Sequence, residues 1–174
     1  MSGGGQERSL RSGTQNVAGA VALAVALRDS NTRMHEIGRA LVASRDRLID
    51  AVLRVEPRAQ LTGDSQRRLP GHASFVFPGL SGEALLVDLD ARGIACSSGS
   101  ACAVGRHEAP GTLLAMGYDP AVAKSAIRMT FREPLTLEQI NQIASVVEES
   151  CNSLRGASTV SDPSINVQAQ QALA

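Results

Sequence analysis

Cys102 is the residue of this chain best placed to do chemistry. Ser97, Ser98, Gly99, Ser100 and Ala101 precede it and Ala103, Val104 and Gly105 follow. A cysteine attacks as thiolate, and a loop of small residues with a glycine on either side leaves the backbone free to carry the sulfur between two places. Arg106 and His107 come within one turn's length and would lower the thiol's pKa if they face it. A small cysteine buried in a tight turn fits the same composition, and the local sequence leaves both readings open. Cys96 and Cys151 read as core residues, and His72 and His107 as strand-edge and loop residues. No cysteine pair has a C-x2-C spacing, and Cys96 with Cys102 is too loose for a zinc hook.

The elements that must position the thiol follow from periodicity. Residues 1–13 are rich in Gly, Ser and Arg, and Thr14 or Asn16 caps a helix from Val17 to about Arg28. That helix is Ala, Val and Leu on every side, so it is expected to be buried on every side, against a neighbour not evident in the sequence. Ser30 or Asn31 caps a second, amphipathic helix through Met34, Ile37, Leu41, Leu48 and Val52, ending before Glu56-Pro57. Strands are expected at Ala59–Thr62, His72–Phe77, Ile94–Ser97 and Ala126–Phe131, with a polar loop at Gly63–Pro70. Helices are expected from Ser81 to Ala91, Thr112 to Met116, Asp119 to Ser125, and from Thr136 along Ile140, Ile143, Val147 and Cys151. The tail from Gly156 has no apolar period and is expected to be disordered. Strands separated by helices give an α/β, two-layer body with helices over a small sheet.

Composition removes several functions. At 174 residues the chain has the length of one domain and can bury about two thirds of its unfolded surface. Aromatics are 2%, too few for base stacking, and 17 basic residues balance 17 acidic ones, so no field steers a polyanion and nucleic acid is not an expected partner. There is no signal-peptide pattern, and Val17–Leu27 is too short to span a bilayer. Three unpatterned cysteines suit a reducing, cytoplasmic setting.

Four segments, in order, resemble the cysteine desulfurases (NifS/IscS-like) of the class V aminotransferase family, enzymes of PLP fold type I. They are Gly3-Gly4-Gly5-Gln6-Glu7 with Arg11-Ser12-Gly13-Thr14; Ser97-Ser98-Gly99-Ser100-Ala101-Cys102; Leu113-Leu114-Ala115-Met116-Gly117; and Ser125-Ala126-Ile127-Arg128 followed by Leu135-Thr136. The resemblance implies pyridoxal 5'-phosphate (PLP) as cofactor and L-cysteine as substrate. It also implies a sulfur-acceptor or iron–sulfur scaffold protein as partner, and a homodimer. It implies that Cys102 is the nucleophile that becomes a persulfide and that Arg128 grips the substrate carboxylate. Thr14 would reach across the dimer to the cofactor phosphate, although it also suits a helix cap, and Arg128 also suits a surface position.

The chain departs from the family in ways that matter. Its sole lysine, Lys124, falls where the family has a helix residue, and the family's Schiff-base lysine precedes the Gly-Gly-Gly-Gln-Glu segment. Arg132 replaces a usual glycine, and Ala109-Pro110-Gly111 departs from a Pro-Ser pair. The resemblance thus implies a C-terminal portion: residues 1–29 the end of the large PLP domain, 30–154 the small domain, 155–174 a tail. It would be inactive alone. The rival expectations are a persulfide carrier, one chain of a split enzyme, or a selenocysteine lyase-like member.

Overall fold

A computed structural model describes residues 3–98 and 109–160. It contains helix α1 (Val17–Val55), strands β1 (Gln60–Leu61) and β2 (His72–Val76), helix α2 (Gly82–Ala91) and strand β3 (Ser97–Ser98). Helices α3 (Gly111–Ala115) and α4 (Pro120–Ala123), strand β4 (Ala126–Thr130) and helix α5 (Leu137–Val160) follow. The chain divides into two compact units, up to Ile37 and from Gly38 onward. No described helix is long and apolar enough to cross a membrane.

The first unit corrects one expectation. The two separate helices are one: α1 runs unbroken through Ser30 and Asn31. Serine and asparagine cost a helix interior less than about 1 kcal/mol each, too little to end it without a proline. Its apolar start finds no cover among the described residues, with Val17, Leu23 and Leu27 66%, 62% and 61% exposed, and the neighbour expected to bury it is not among them. The segment before it supplies no apolar cover; Leu10 is itself 88% exposed. That segment is tied instead by polar bonds, with the Gly13 N–H donating to Gln6 Oε1 at 3.1 Å.

In the second unit the sheet has the order β1-β2-β4-β3, antiparallel throughout. Ser74 and Ser97 flank Arg128, and Phe75 lies opposite Ile127. Alternation sorts the strands into two faces. Ala73, Phe75, Ile127 and Met129 point into a core shared with Leu48 and Val52 of α1, Leu85 and Leu89 of α2, and Ile140, Val147 and Cys151 of α5. His72, Ser74 and Arg128 belong to the other face, one end of which is covered by a small cluster of Val76, Leu113, Ala123 and Ala126.

Two boundaries differ from expectation. The strand expected from Ile94 begins at Ser97, because the preceding residues close α2: Gly93 stands at φ +83° and donates to Asp90 O, while Ile94 donates to Leu89 O, at 2.9 Å each. This six-residue closure consumes the amide that would have entered the ladder. Helix α5 continues past Leu154 to Val160, into the segment expected to be disordered. Its continuation is fastened, since Arg155 pairs with the buried carboxylate of Glu56, beside the α1 end.

Candidate functional site

Arg128 lies mid-strand, where the ladder on both sides fixes its backbone. Its Nη2 donates to Ser97 Oγ at 3.2 Å, and that hydroxyl donates to Ser98 O at 2.9 Å. The guanidinium lines a pocket of about 250 Å³ with Thr62, Arg68, His72, Ser74 and Leu113. The β1–β2 connection forms one wall: the Thr62 N–H and Oγ1 both donate to Ser74 O, at 2.9 and 3.1 Å. Leu113 of helix α3 and Met116 at its C-terminal cap contribute an apolar wall.

The pocket is positively charged. Arg67, Arg68 and Arg128 line it against one carboxylate, that of Asp64. That carboxylate is already engaged: the Arg67 and Gln66 N–H groups and the Arg67 guanidinium hold its pKa below the ordinary value. His72 is held below its usual range, first by burial and then by Arg68, with Arg128 and Arg45 adding to it, so the ring is neutral near pH 7. Arg68 donates from Nε to Asp64 O and from Nη2 to Thr62 O, each at 2.8 Å. Its Nη1 is buried and has no acceptor among the described residues.

Of the residues singled out in the sequence, Arg128 stands in this pocket. Cys102, with Arg106 and His107, lies outside the described residues. Thr14 belongs to the first unit, exposed and outside any helix, and the cap of α1 is Asn16, whose Oδ1 accepts from the Gly19 N–H at 2.9 Å. Thr14 is therefore not that cap. Burial pushes the Cys96 thiol up to about 11, helped by Asp90, and the Cys151 thiol up to about 12, helped by Glu56; both are protonated and inert near neutral pH. The described residues hold no group of three or more His, Cys, Asp or Glu side chains arranged for a metal ion.

The sequence reading missed Arg68 and Ser74, and took His72 for an edge residue. Strict alternation in His72-Ala73-Ser74-Phe75 carried the signal for His72 and Ser74. Nothing marked Arg68 within its polar loop.

A sequence profile of the family Aminotransferase class-V matches residues 3–143. The chain belongs to the class V aminotransferase family. It is 45% identical over 131 residues to the IscS-like cysteine desulfurase of Mycobacterium tuberculosis, covering 75% of this chain and 33% of that protein. It is 36% identical over 158 residues to the cysteine desulfurase NifS of Azotobacter vinelandii, covering 91% of this chain and 39% of that one. Among solved structures, a NifS-like protein superposes with a TM-score of 0.71 at 32% identity, covering 88% of this chain and 39% of its own. The NifS-like protein of Rickettsia africae gives 0.72 at 27% identity, covering 87% and 39%. This class V member thus spans between a third and two fifths of the length of these relatives, and its relatives are cysteine desulfurases.

The family uses PLP, which a lysine amine anchors. The one lysine of this chain, Lys124, is exposed at the end of α4 and does not line the Arg128 pocket. The residues of this chain do not fit the cofactor's anchor.

Proposed function

We propose that this class V chain is the substrate-carboxylate and sulfur-relay segment of a cysteine desulfurase, the cofactor's anchor being supplied from outside it. In this reading Arg128 grips the carboxylate of L-cysteine through parallel charge-assisted bonds, and Cys102 accepts the sulfur. The exchange balances as L-cysteine plus the Cys102 thiol giving L-alanine plus the Cys102 persulfide, which then passes its outer sulfur to an acceptor or iron–sulfur scaffold protein. Thr14 serves the cofactor phosphate of a partner subunit in a homodimer, with residues 1–29 belonging to the large domain and 30–154 to the small one.

One observation carries the reading. Strand β3, whose next residues lead to Cys102, is laddered to Arg128 and bonded to its guanidinium through Ser97. This linkage supports the reading, because a substrate grip and a thiol that react together need a common frame. Supporting it, neither Cys96 nor Cys151 is available as a thiolate.

The isolated chain is expected to form no alanine from L-cysteine, with or without added PLP. Joined to the lysine-bearing part of a desulfurase, it is expected to form alanine, and Cys102→Ser to abolish it. Alanine formation that survives Cys102→Ser would refute the relay. A second reading, a carrier that only receives and passes sulfur, is favoured by the absence of a lysine from the pocket. A persulfide donor that loads Cys102 of the isolated chain, with no turnover in the joined enzyme, would select it.

A further inference from the structure

Arg128 accounts for one side of the pocket, but the pocket holds more positive charge than a single guanidinium. Arg68 reaches it from the β1–β2 connection, its side chain held by the carbonyls of Thr62 and Asp64. Two donors are thereby spent on the backbone, and Nη1 has no acceptor among the described residues. Arg68 is thus a half-buried cation whose guanidinium bonds to backbone carbonyls and to no carboxylate among the described residues, and a carboxylate in the pocket would supply that counter-charge. The nearby negative charges are in use: Asp64 is bonded to Arg67 and two amides, and Asp46 to the guanidinium of Arg45.

We propose that Arg68 is a second cationic arm of this pocket and that, with Arg128, it takes one carboxylate in the space they share with His72. The inference rests on the proposed function for the identity of that carboxylate, and on the pocket alone for its chemistry. Thr62, which takes one Arg68 bond, itself bonds to Ser74 beside Arg128, so the two arms are set on a common frame. Leu113 and Met116 keep one wall apolar, which strengthens the pairing.

His72 reports occupancy. It is faced by Arg68, Arg67 and Asp64 from the β1–β2 connection, by Arg128 from β4 and by Arg45 from α1, a surplus of cations. A bound carboxylate neutralises part of that surplus, so the ring takes up a proton more readily when the pocket is filled.

The test is an NMR titration of the full chain with sodium acetate, using sodium chloride at equal ionic strength as control. Acetate is expected to raise the His72 ring midpoint saturably and to perturb the guanidinium signals of both Arg68 and Arg128. Arg68→Gln is expected to raise the His72 midpoint in the free protein and to weaken acetate binding about tenfold or more, as loss of a charge-assisted bond implies. Arg68→Lys, which keeps the charge, is expected to leave the free His72 midpoint unchanged, an outcome that loosening of the loop alone does not give. Wild-type acetate affinity in Arg68→Gln overturns the proposal. If that variant does not fold, a response at Arg128 without one at Arg68 in the native protein overturns it equally. Acetate binding requires no sulfur chemistry, so a chain that binds acetate while the joined enzyme makes no alanine would refute the function and leave the second arm standing.

Discussion

The two faces of the sheet are made by the same strands, yet they obey opposite rules. On the helix side Ala73, Phe75, Ile127 and Met129 are buried against α1, α2 and α5 in an apolar cluster. On the other side, one residue away each time, stand His72, Ser74 and Arg128, only half-buried. The first face supplies the stability that lets the second be held in an unfavourable state, with three arginines and a neutral histidine around one cavity. Stability and chemistry are separated here by a 180° alternation, so a substitution on either face has a distinct signature.

Ranked by expected effect on stability, the largest loss falls on the helix side. Phe75→Ala should cost about 3–5 kcal/mol in denaturant unfolding, since it empties a fully buried aromatic site. Gly71→Ala comes next: a Cβ there would sit 2.0 Å from the Phe131 carbonyl oxygen, at the end of the β2–β4 ladder. A loss of about 1–3 kcal/mol in the same assay is expected, as for overpacking against a backbone that cannot yield.

The α5 fastening is similar or smaller. Arg155→Met strands the buried Glu56 carboxylate and should cost about 1–3 kcal/mol at pH 7. Burial raises the Glu56 pKa, but the Arg155 and Arg58 bonds outweigh it and the net value is lowered. A carboxyl with a depressed folded pKa stabilises fully above its unfolded value of 4.5, and that contribution is lost as pH falls through the folded value. The wild type should therefore lose stability on acidification below about pH 4.5 more steeply than Arg155→Met. Parallel acid titrations would contradict the assignment.

The smallest effect on stability belongs to Arg128→Gln, expected within about 0.5 kcal/mol of wild type. The same variant should nonetheless lose acetate binding. A large loss of stability would mean that the two faces are not separable as described.

Much of this division was legible in the sequence. The 3–4 spacing of Leu48 and Val52 placed the core face of α1, and the run His72–Phe77 was read as a strand, which β2 is. What the sequence did not reveal has local causes. Ser30 and Asn31 look like caps, but a cap residue is decided by whether the helix before it stops, and α1 does not. Ile94 and Cys96 look like strand, but the closing turn of α2 takes the Ile94 amide. Arg68 joins Arg128 through a loop whose path depends on Thr62 bonding to Ser74, and no periodic pattern encodes such a bond.

The described part of strand β3 is Ser97–Ser98, and among the described residues its partner is β4. So short a ladder can come undone while the buried layer beneath stays intact. Native-state amide exchange should accordingly be faster at Ser98 than at Ile127 across from it. Such a local opening would part Ser97 from the Arg128 guanidinium while the buried layer keeps its packing.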